Sequence, residues 1–398
     1  MQAKEKKLVL LAPVIALLIV FVFSLTLFPS VQVKPRQLPI AVVNEDQGVE
    51  ISGQPKLNMG ETIVETIRQA PTAPGEEPAV EWVVVKDEDA ARQGLNDKDY
   101  YAALVIPQDF SAKQASLRTP SPSSPELRIY LNQGLNAAAA TAAGQVLNGV
   151  VDTLSEKIRA QVLDAFQAQG ATLSPDQAAA LAVPIAKKVT NVNEIGTKSA
   201  NGNAPISLFQ PLWMASMACS AVLFLAFGKS AASDRKRSLA TKLVHIGAGA
   251  VVALLVGFGF AWIAEAMIGL AIPQFVDTAL FLALAFFSFF LLITAVVSWL
   301  GLKGIAVFAL MLFFGAPLLA LAPEMMSPFY RDWIHPWLPM RFMVDGLREL
   351  FFFGKGLSWN HAVAALTWIG AGGAAVTLAS ALKSGAAEKR RRQDSAFR

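Results

Sequence analysis

Apolar stretches of about 20 residues, each long enough to cross roughly 30 Å of hydrocarbon as a helix, recur unevenly along this chain. One stands alone at 8–28. A mostly polar block follows, and five more crowd the C-terminal half at 208–227, 243–264, 278–300, 304–321 and 362–382. A layout of this kind predicts a mainly α membrane protein with six transmembrane helices, one plus five, and an extracytoplasmic domain inserted between the first and second. The expected parts are a cytoplasmic N-terminus at 1–7, a first span at 8–28, an outer domain at 29–206, a five-helix membrane domain at 207–382 and a basic tail at 383–398.

The first run follows Lys4, Lys6 and Lys7, as a secretory signal would. It is longer than a usual signal core, however, and leaves through Leu27, Phe28 and Pro29 without a small-residue cleavage site, so a retained anchor is expected.

Orientation follows from the side on which Lys and Arg collect. The short segments assigned inside carry 15 basic residues against four acidic ones, among them Lys229, Arg235, Lys236, Arg237 and Lys242 between the second and third spans. Residues 29–206 carry 15 basic and 20 acidic residues and read as outside. Both termini are then cytoplasmic, in the cell (plasma or inner) membrane. The net charge of +4 needs no nucleic acid, because the positive residues sit where topology calls for them. Membrane lipids are the expected partner; Lys389 to Arg392 read first as a topogenic tail and, alternatively, as a site for anionic headgroups.

The single cysteine, Cys219, falls within the second span, so intramolecular disulfides cannot hold the outer domain. His245, His335 and His361 show no metal-ligand spacing.

Between 29 and 206, β-rich and helical runs alternate. Strands are predicted at 38–44, 81–85, 101–106 and 127–131, with helices at 60–69, 87–95 and 110–117. This is the pattern of a small α/β domain. From Asn136 an alanine-rich run to Gln169 repeats apolar residues at helical spacing and predicts one long amphipathic helix, 136–169. It packs on its own domain or, alternatively, against a partner. Ser174, Pro175 and Gln177 form a helix-start signature, and 190–203, rich in Asn and Gly, reads as irregular chain back to the membrane.

No catalytic constellation stands out. Gly228, Lys229 and Ser230 end like a phosphate-binding loop, but Leu223 occupies the position of the required first glycine. The acidic pairs Glu45/Asp46 and Asp87/Glu88 read as solvated loop or helix-start residues. The expectation is therefore not an enzyme: no ATPase motif, no catalytic residue, no cofactor and no metal.

Near the spans, Glu265, Asp277 and Lys303 mark turns. The segment 323–356 is too polar to cross the bilayer and too apolar for free water. It reads as short helices at the outer interface, with Trp333 and Trp337 as headgroup-level anchors and Arg341, Asp345 and Arg348 among its charged residues. Asp345 and Arg348, three apart, share a helical face.

Four stretches, AVVNEDQG at 41–48, YYAALVIPQDFS at 100–111, NAPISLFQPLWM at 203–214 and LPMRFMVDGLREL at 338–350, resemble in order the signatures of the YhgE/Pip (phage infection protein) family. That family is similar to type-2 permeases of ABC exporters. The resemblance implies a membrane subunit that forms a homodimer and moves a substrate outward with a separate ATPase subunit. Coupling would fall on 228–242, with Lys229, Arg235, Lys236 and Arg237, and 323–356 would be the outer interfacial segment. The alternative is a non-transporting envelope protein: a scaffold, a secretion-assembly component or a surface receptor exploited by phage.

Overall fold

The structure, a computed structural model of the chain, describes residues 33–50, 56–69, 77–228 and 235–382, together with Pro13, Leu17 and Phe21. The expected first span, 8–28, lies outside the described residues apart from those three, as do Lys229 and the tail 383–398. The chain divides into two compact units, 34–195 with 322–326, and the remainder.

The first unit begins with β1 (Leu38–Asn44), α1 (Met59–Arg68), β2 (Val80–Val85), α2 (Glu88–Asp97), β3 (Ala102–Ile106) and α3 (Phe110–Ser116). It continues with β4 (Glu126–Asn132), α4 (Ala137–Ala168), α5 (Pro175–Ala182) and β5 (Ala186–Val192). The sheet order is β2-β1-β3-β4-β5. β1 is parallel to β2 and β3, β3 is antiparallel to β4, and β4 is parallel to β5.

Alternation along the strands gives the sheet two apolar faces. Ala41, Val43, Ala103, Val105 and Tyr130 pack with Ala91 and Leu95 of α2. Ile40, Val42, Leu104, Leu127 and Ile129 point the other way and are fully buried. On that side lies α4, whose Gly144 approaches the Leu131 side chain so closely that an added Cβ would lie 3.2 Å from it. Right-handed crossovers put α1 and α2 on opposite faces, since β1 to β2 moves one way along the sheet and β2 to β3 moves back past β1.

The apolar stripe of α4, Leu147, Val151, Leu154, Ile158 and Val162, is buried within this unit, so the helix packs on its own domain. Arg159 of α4 donates from Nε to the Leu181 carbonyl at 2.9 Å and ties α5 alongside. The Ser174 start signature forms as a capping box: Gln177 N–H donates to Ser174 Oγ at 3.2 Å, and Ser174 N–H donates to Gln177 Oε1 at 2.9 Å. β5 corrects the sequence reading. Thr190 to Val192, expected to be irregular, continue a strand whose Lys187 and Lys188 gave it no apolar alternation. It is a sheet edge, where charged residues are favoured because they discourage unwanted pairing. Lys187 lies 2.6 Å from Asp152 of α4. Residues 322–326 join this unit as well, with the Tyr101 hydroxyl donating to Glu324 Oε2 at 2.7 Å and Arg36 N–H to the Glu324 carbonyl at 2.9 Å.

The second unit contains α6 (Ala204–Gly228), α7 (Arg235–Trp262), α8 (Phe275–Leu300), α9 (Ile305–Ala320), α10 (Pro339–Phe352) and α11 (His361–Ala379). Among the described residues, four apolar helical runs are long enough to cross a membrane: Ala204–Phe227, Lys236–Met267, Phe275–Ala320 and His361–Ala379. The third, at 46 residues, is far longer than one crossing needs and folds back on itself at Gly301–Gly304. A Cβ on Gly304 would sit 3.0 Å from Val296 Cγ1 of the preceding helix.

α8 is buried along most of its length between α7 and α11. The contacts are close because they use small residues. On α7, Gly249, Ala253, Gly257 and Ala261 recur every fourth residue, and an added Cβ at Gly257 would lie 2.4 Å from the Ala279 carbonyl oxygen. On α11, Gly373 leaves only 2.7 Å to the Leu291 backbone. Several polar groups in the bundle are bonded internally. Ser220 and Thr294 hydroxyls meet at 2.9 Å, and Trp213 Nε1 donates to the Phe308 carbonyl at 3.1 Å.

Candidate functional site

In a sheet of this kind, ligands lie beyond the carboxyl ends of parallel strands where the connections diverge, here between β1 and β3. The chain's own Asp46 carboxylate fills that place. It accepts from Gly60 N–H at the start of α1 at 3.0 Å, from Ser111 N–H at the start of α3 at 3.0 Å, and from the Ser111 hydroxyl in a short contact. Asn44 Oδ1 accepts from Asp46 N–H at 3.1 Å, and a Cβ on Gly60 would fall 2.0 Å from that same Oδ1.

Asp46 is therefore buried, not solvated as the sequence suggested, and its partners explain why: a carboxylate at two helix starts meets aligned N–H groups and the positive end of each dipole. Two of the four signature stretches, AVVNEDQG and the QDFS end of the second, are in fact one hydrogen-bonded cluster.

Asp87 and Glu88 likewise have structural work. Asp87 caps α2 through Ala90 N–H at 2.8 Å. Glu88 accepts from Arg92 at 2.9 Å, from Arg128 at 2.8 Å and from the Tyr130 hydroxyl at 2.5 Å. Burial raises the Glu88 pKa, but these three partners outweigh it and leave the carboxyl below its ordinary 4.5.

The second unit presents the other candidate groups. Arg341, Asp345 and Arg348 recur at i, i+4 and i+7 and so share one face of α10, while Met340, Met343, Val344, Leu347 and Leu350 are buried. Asp345 lies 3.3 Å from Arg348, whose Nη2 also donates to the Leu319 carbonyl at 3.4 Å. The Arg341 guanidinium lies over the Phe342 ring at 4.6 Å, and its buried Nε has no hydrogen-bond partner among the described residues. His335 is buried beside them. Burial first, then the Arg341 and Arg348 charges, push it down to about 4, so it is neutral near pH 7. Trp333 and Trp337 are 72% and 81% exposed. Glu349 accepts from Asn360 Nδ2 at 2.6 Å, and Asn360 in turn caps α11 through Val363 N–H at 2.9 Å.

At the opposite end of the bundle, α7 opens with Arg235, Lys236 and Arg237, the latter two exposed. Cations at a helix start oppose its dipole, so their placement does nothing for the helix itself. Lys242 Nζ, further along, donates to Ser298 Oγ near the end of α8 at 3.0 Å. α10, by contrast, packs Gly346 onto Phe281 near the start of α8. The 17-residue interval from Phe281 to Ser298 separates the two sets by about 26 Å along the helix, close to the thickness of a hydrocarbon core. The structure thus gathers Trp333 to Arg348 at one end and the basic residues at the other, and the two sets do not meet.

Long apolar helices joined by small-residue contacts, with an α/β unit in the same chain, define a multi-pass membrane protein. Residues 6–382, nearly the whole chain, match the family described as ABC-2 family transporter protein, and the chain belongs to that family. It is similar to YhgE of Bacillus subtilis strain 168, a protein described as uncharacterized, with 27% identity over 156 residues, 38% of this chain and 19% of YhgE. It is also similar to the ESX secretion system protein YueB of the same organism, with 32% identity over 121 residues, 30% of this chain and 11% of YueB. In both relatives the matched part is a minor share of the length. A solved domain assigned to an ABC type-2 transporter of Thermotoga maritima aligns at 18% identity, covering 38% of this chain and 86% of that one. Its TM-score of 0.25 is too low to define a shared fold.

Proposed function

We propose that the protein is the membrane subunit of an exporter, moving a substrate outward across the cell membrane with the help of a separate ATPase. The observation that carries this reading is the family match from 6 to 382, which takes in the first apolar run, the α/β unit and the helical bundle together. On this reading the chain crosses six times, 8–28 supplying the first pass, the folded-back run 275–320 two, and α6, α7 and α11 one each. Residues 29–206 then lie outside and both termini inside.

The exposed Lys236 and Arg237, with Lys229 and Arg235, would meet acidic groups of the ATPase at the inner end of α7, which accounts for cations placed against a helix dipole. The segment 323–356 would lie at the outer interface, and a second copy would complete the path. Mild-detergent purification from native membranes is expected to bring down an ATPase, and deletion is expected to reduce efflux. Persistent absence of both effects would defeat the proposal. Topology is checked separately in a Cys219→Ser background, where a cysteine placed at Ser121 should react with an impermeant thiol reagent added outside intact cells.

Similarity to an ESX secretion system protein favours one second reading, a non-transporting component of a secretion assembly. In that case deletion of 36–200 would abolish partner binding while leaving efflux of small molecules untouched.

A further inference from the structure

We propose that the face of α10 carrying Arg341, together with the segment around His335, binds the phosphate-bearing headgroup of an anionic lipid. The proposal rests on the reading of 323–356 as an interfacial segment and gives that segment a ligand.

Charge balance is the first argument. The charged groups at this face are Arg341, Asp345 and Arg348 on α10, with neutral His335 against them. Asp345 is engaged by Arg348 at 3.3 Å, and Arg348 also reaches the Leu319 carbonyl. Nearby Arg331 has its own carboxylate, Asp332, at 2.8 Å, and Glu349 is bound by Asn360. On α10, Arg341 is the cation with no carboxylate partner among the described residues, its Nε buried without a hydrogen bond and an aromatic ring under its guanidinium. A buried charged donor is costly when nothing accepts from it, so the site selects an anion.

Position is the second argument. Arg341 lies in the first turn of α10, where the helix dipole is positive, no side chain caps the helix start, and the Arg341 N–H is held by the Leu338 carbonyl at 3.3 Å. Helix start and guanidinium therefore favour the same charge, and the planar fork of Arg suits phosphate oxygens.

The third argument identifies the source of the phosphate. Phe329, Trp333 and Trp337 of the same segment are exposed large apolar side chains, the kind found at headgroup depth with acyl chains beside them. A small free anion would have no use for them, whereas a lipid uses both parts.

The test uses full-length protein in detergent, titrated with phosphatidylglycerol or phosphatidylcholine and read by native mass spectrometry as retained lipid. Arg341→Gln is expected to weaken phosphatidylglycerol binding by about tenfold or more, the scale of a lost charge-assisted bond. Arg331→Gln should stay within about twofold, as for an exposed ion pair. Phosphatidylcholine should bind weakly throughout, and millimolar inorganic phosphate should not displace phosphatidylglycerol.

Unchanged binding by Arg341→Gln, an equal loss in Arg331→Gln, or displacement by inorganic phosphate would each overturn the proposal. If Arg341→Gln does not fold, wild-type protein decides: phosphatidylglycerol with a photoreactive headgroup should label 329–348, and labelling confined elsewhere refutes it. The interfacial reading is checked on its own by brominated lipids. These should quench fluorescence that disappears in a Trp333→Phe, Trp337→Phe double variant. Silence there would remove the interfacial placement whatever the lipid titration shows.

Discussion

In the α/β unit the sheet core is built from large aliphatic side chains, with Ile40, Val42, Leu104 and Ile129 all essentially inaccessible. In the helical bundle α7 and α11 come close to α8 where side chains are missing, at Gly249, Gly257 and Gly373. The reason is the solvent. Water drives large apolar side chains together at roughly 25 cal/mol per Å² buried, whereas lipid tails offer no such drive and helices associate through close van der Waals contact and internal hydrogen bonds. The outward face of α7 agrees, since Leu254, Leu255 and Val251 are exposed there with no aqueous reason to be apolar. One chain therefore contains two rules of construction, and substitutions can separate them.

Ile40→Ala should have the largest effect, a loss of about 2 to 5 kcal/mol from the α/β unit. Hydrogen exchange of full-length protein in detergent would show it as lost protection across β1 and β3, with the bundle unchanged. Asp46→Ala comes next at about 3 kcal/mol, because it leaves Gly60 N–H, Ser111 N–H and the Ser111 hydroxyl without their acceptor. In the bundle, Gly257→Val would force α7 away from the Ala279 carbonyl at a cost of about 1 to 3 kcal/mol, visible as a lower melting temperature in detergent. If Gly257→Val were harmless while the reverse kind of change, large to small on α8, were severe, the contrast between the units would fail.

The same contrast explains how much could be read in advance. The apolar runs of the bundle are plain in composition, and 278–300 and 304–321 read as separate helices with Lys303 at the turn between them. The capping box at Ser174 was visible because all its information is local. β5 was not, since an edge strand with two lysines shows no alternation and owes its place to pairing with β4, some 60 residues earlier. For the same reason Asp46 looked solvated: what buries it are Gly60 and Ser111, 14 and 65 residues away in sequence. Only the joint presence of Asp46 and Ser111 in signature stretches hints at a connection, and Gly60 lies outside them. Of the charged residues in 338–350, the Asp345 and Arg348 pairing follows from spacing alone, but the unpartnered state of Arg341 depends on which residues surround it.

Smaller effects should appear on acidification, in different windows for the two units. Glu88 sits below its ordinary 4.5, so its contribution is complete above that value and is lost as pH falls below it. Glu88→Gln should flatten the stability profile of the α/β unit in that acid range. His335 also sits below its ordinary value, 6.5, at about 4, but here the unfolded chain takes up the proton first. Stability of the segment around it should therefore decline as pH falls from 6.5 toward 4. Limited proteolysis at 327–338 would register that decline, and His335→Asn should remove it.

The smallest effect expected is from Leu255→Ala, within about 0.5 kcal/mol in detergent, because Leu255 is 70% exposed and its methyl groups exchange contact with the chain for contact with apolar solvent of nearly equal quality. Its value lies in what an exception would mean. A cost near that of Ile40→Ala could not come from the single chain, where nothing covers the residue to that extent. It would show that the outward face of α7 is covered in the solubilised particle, and a second copy packed there would then show a concentration-dependent melting temperature that Leu255→Ala abolishes.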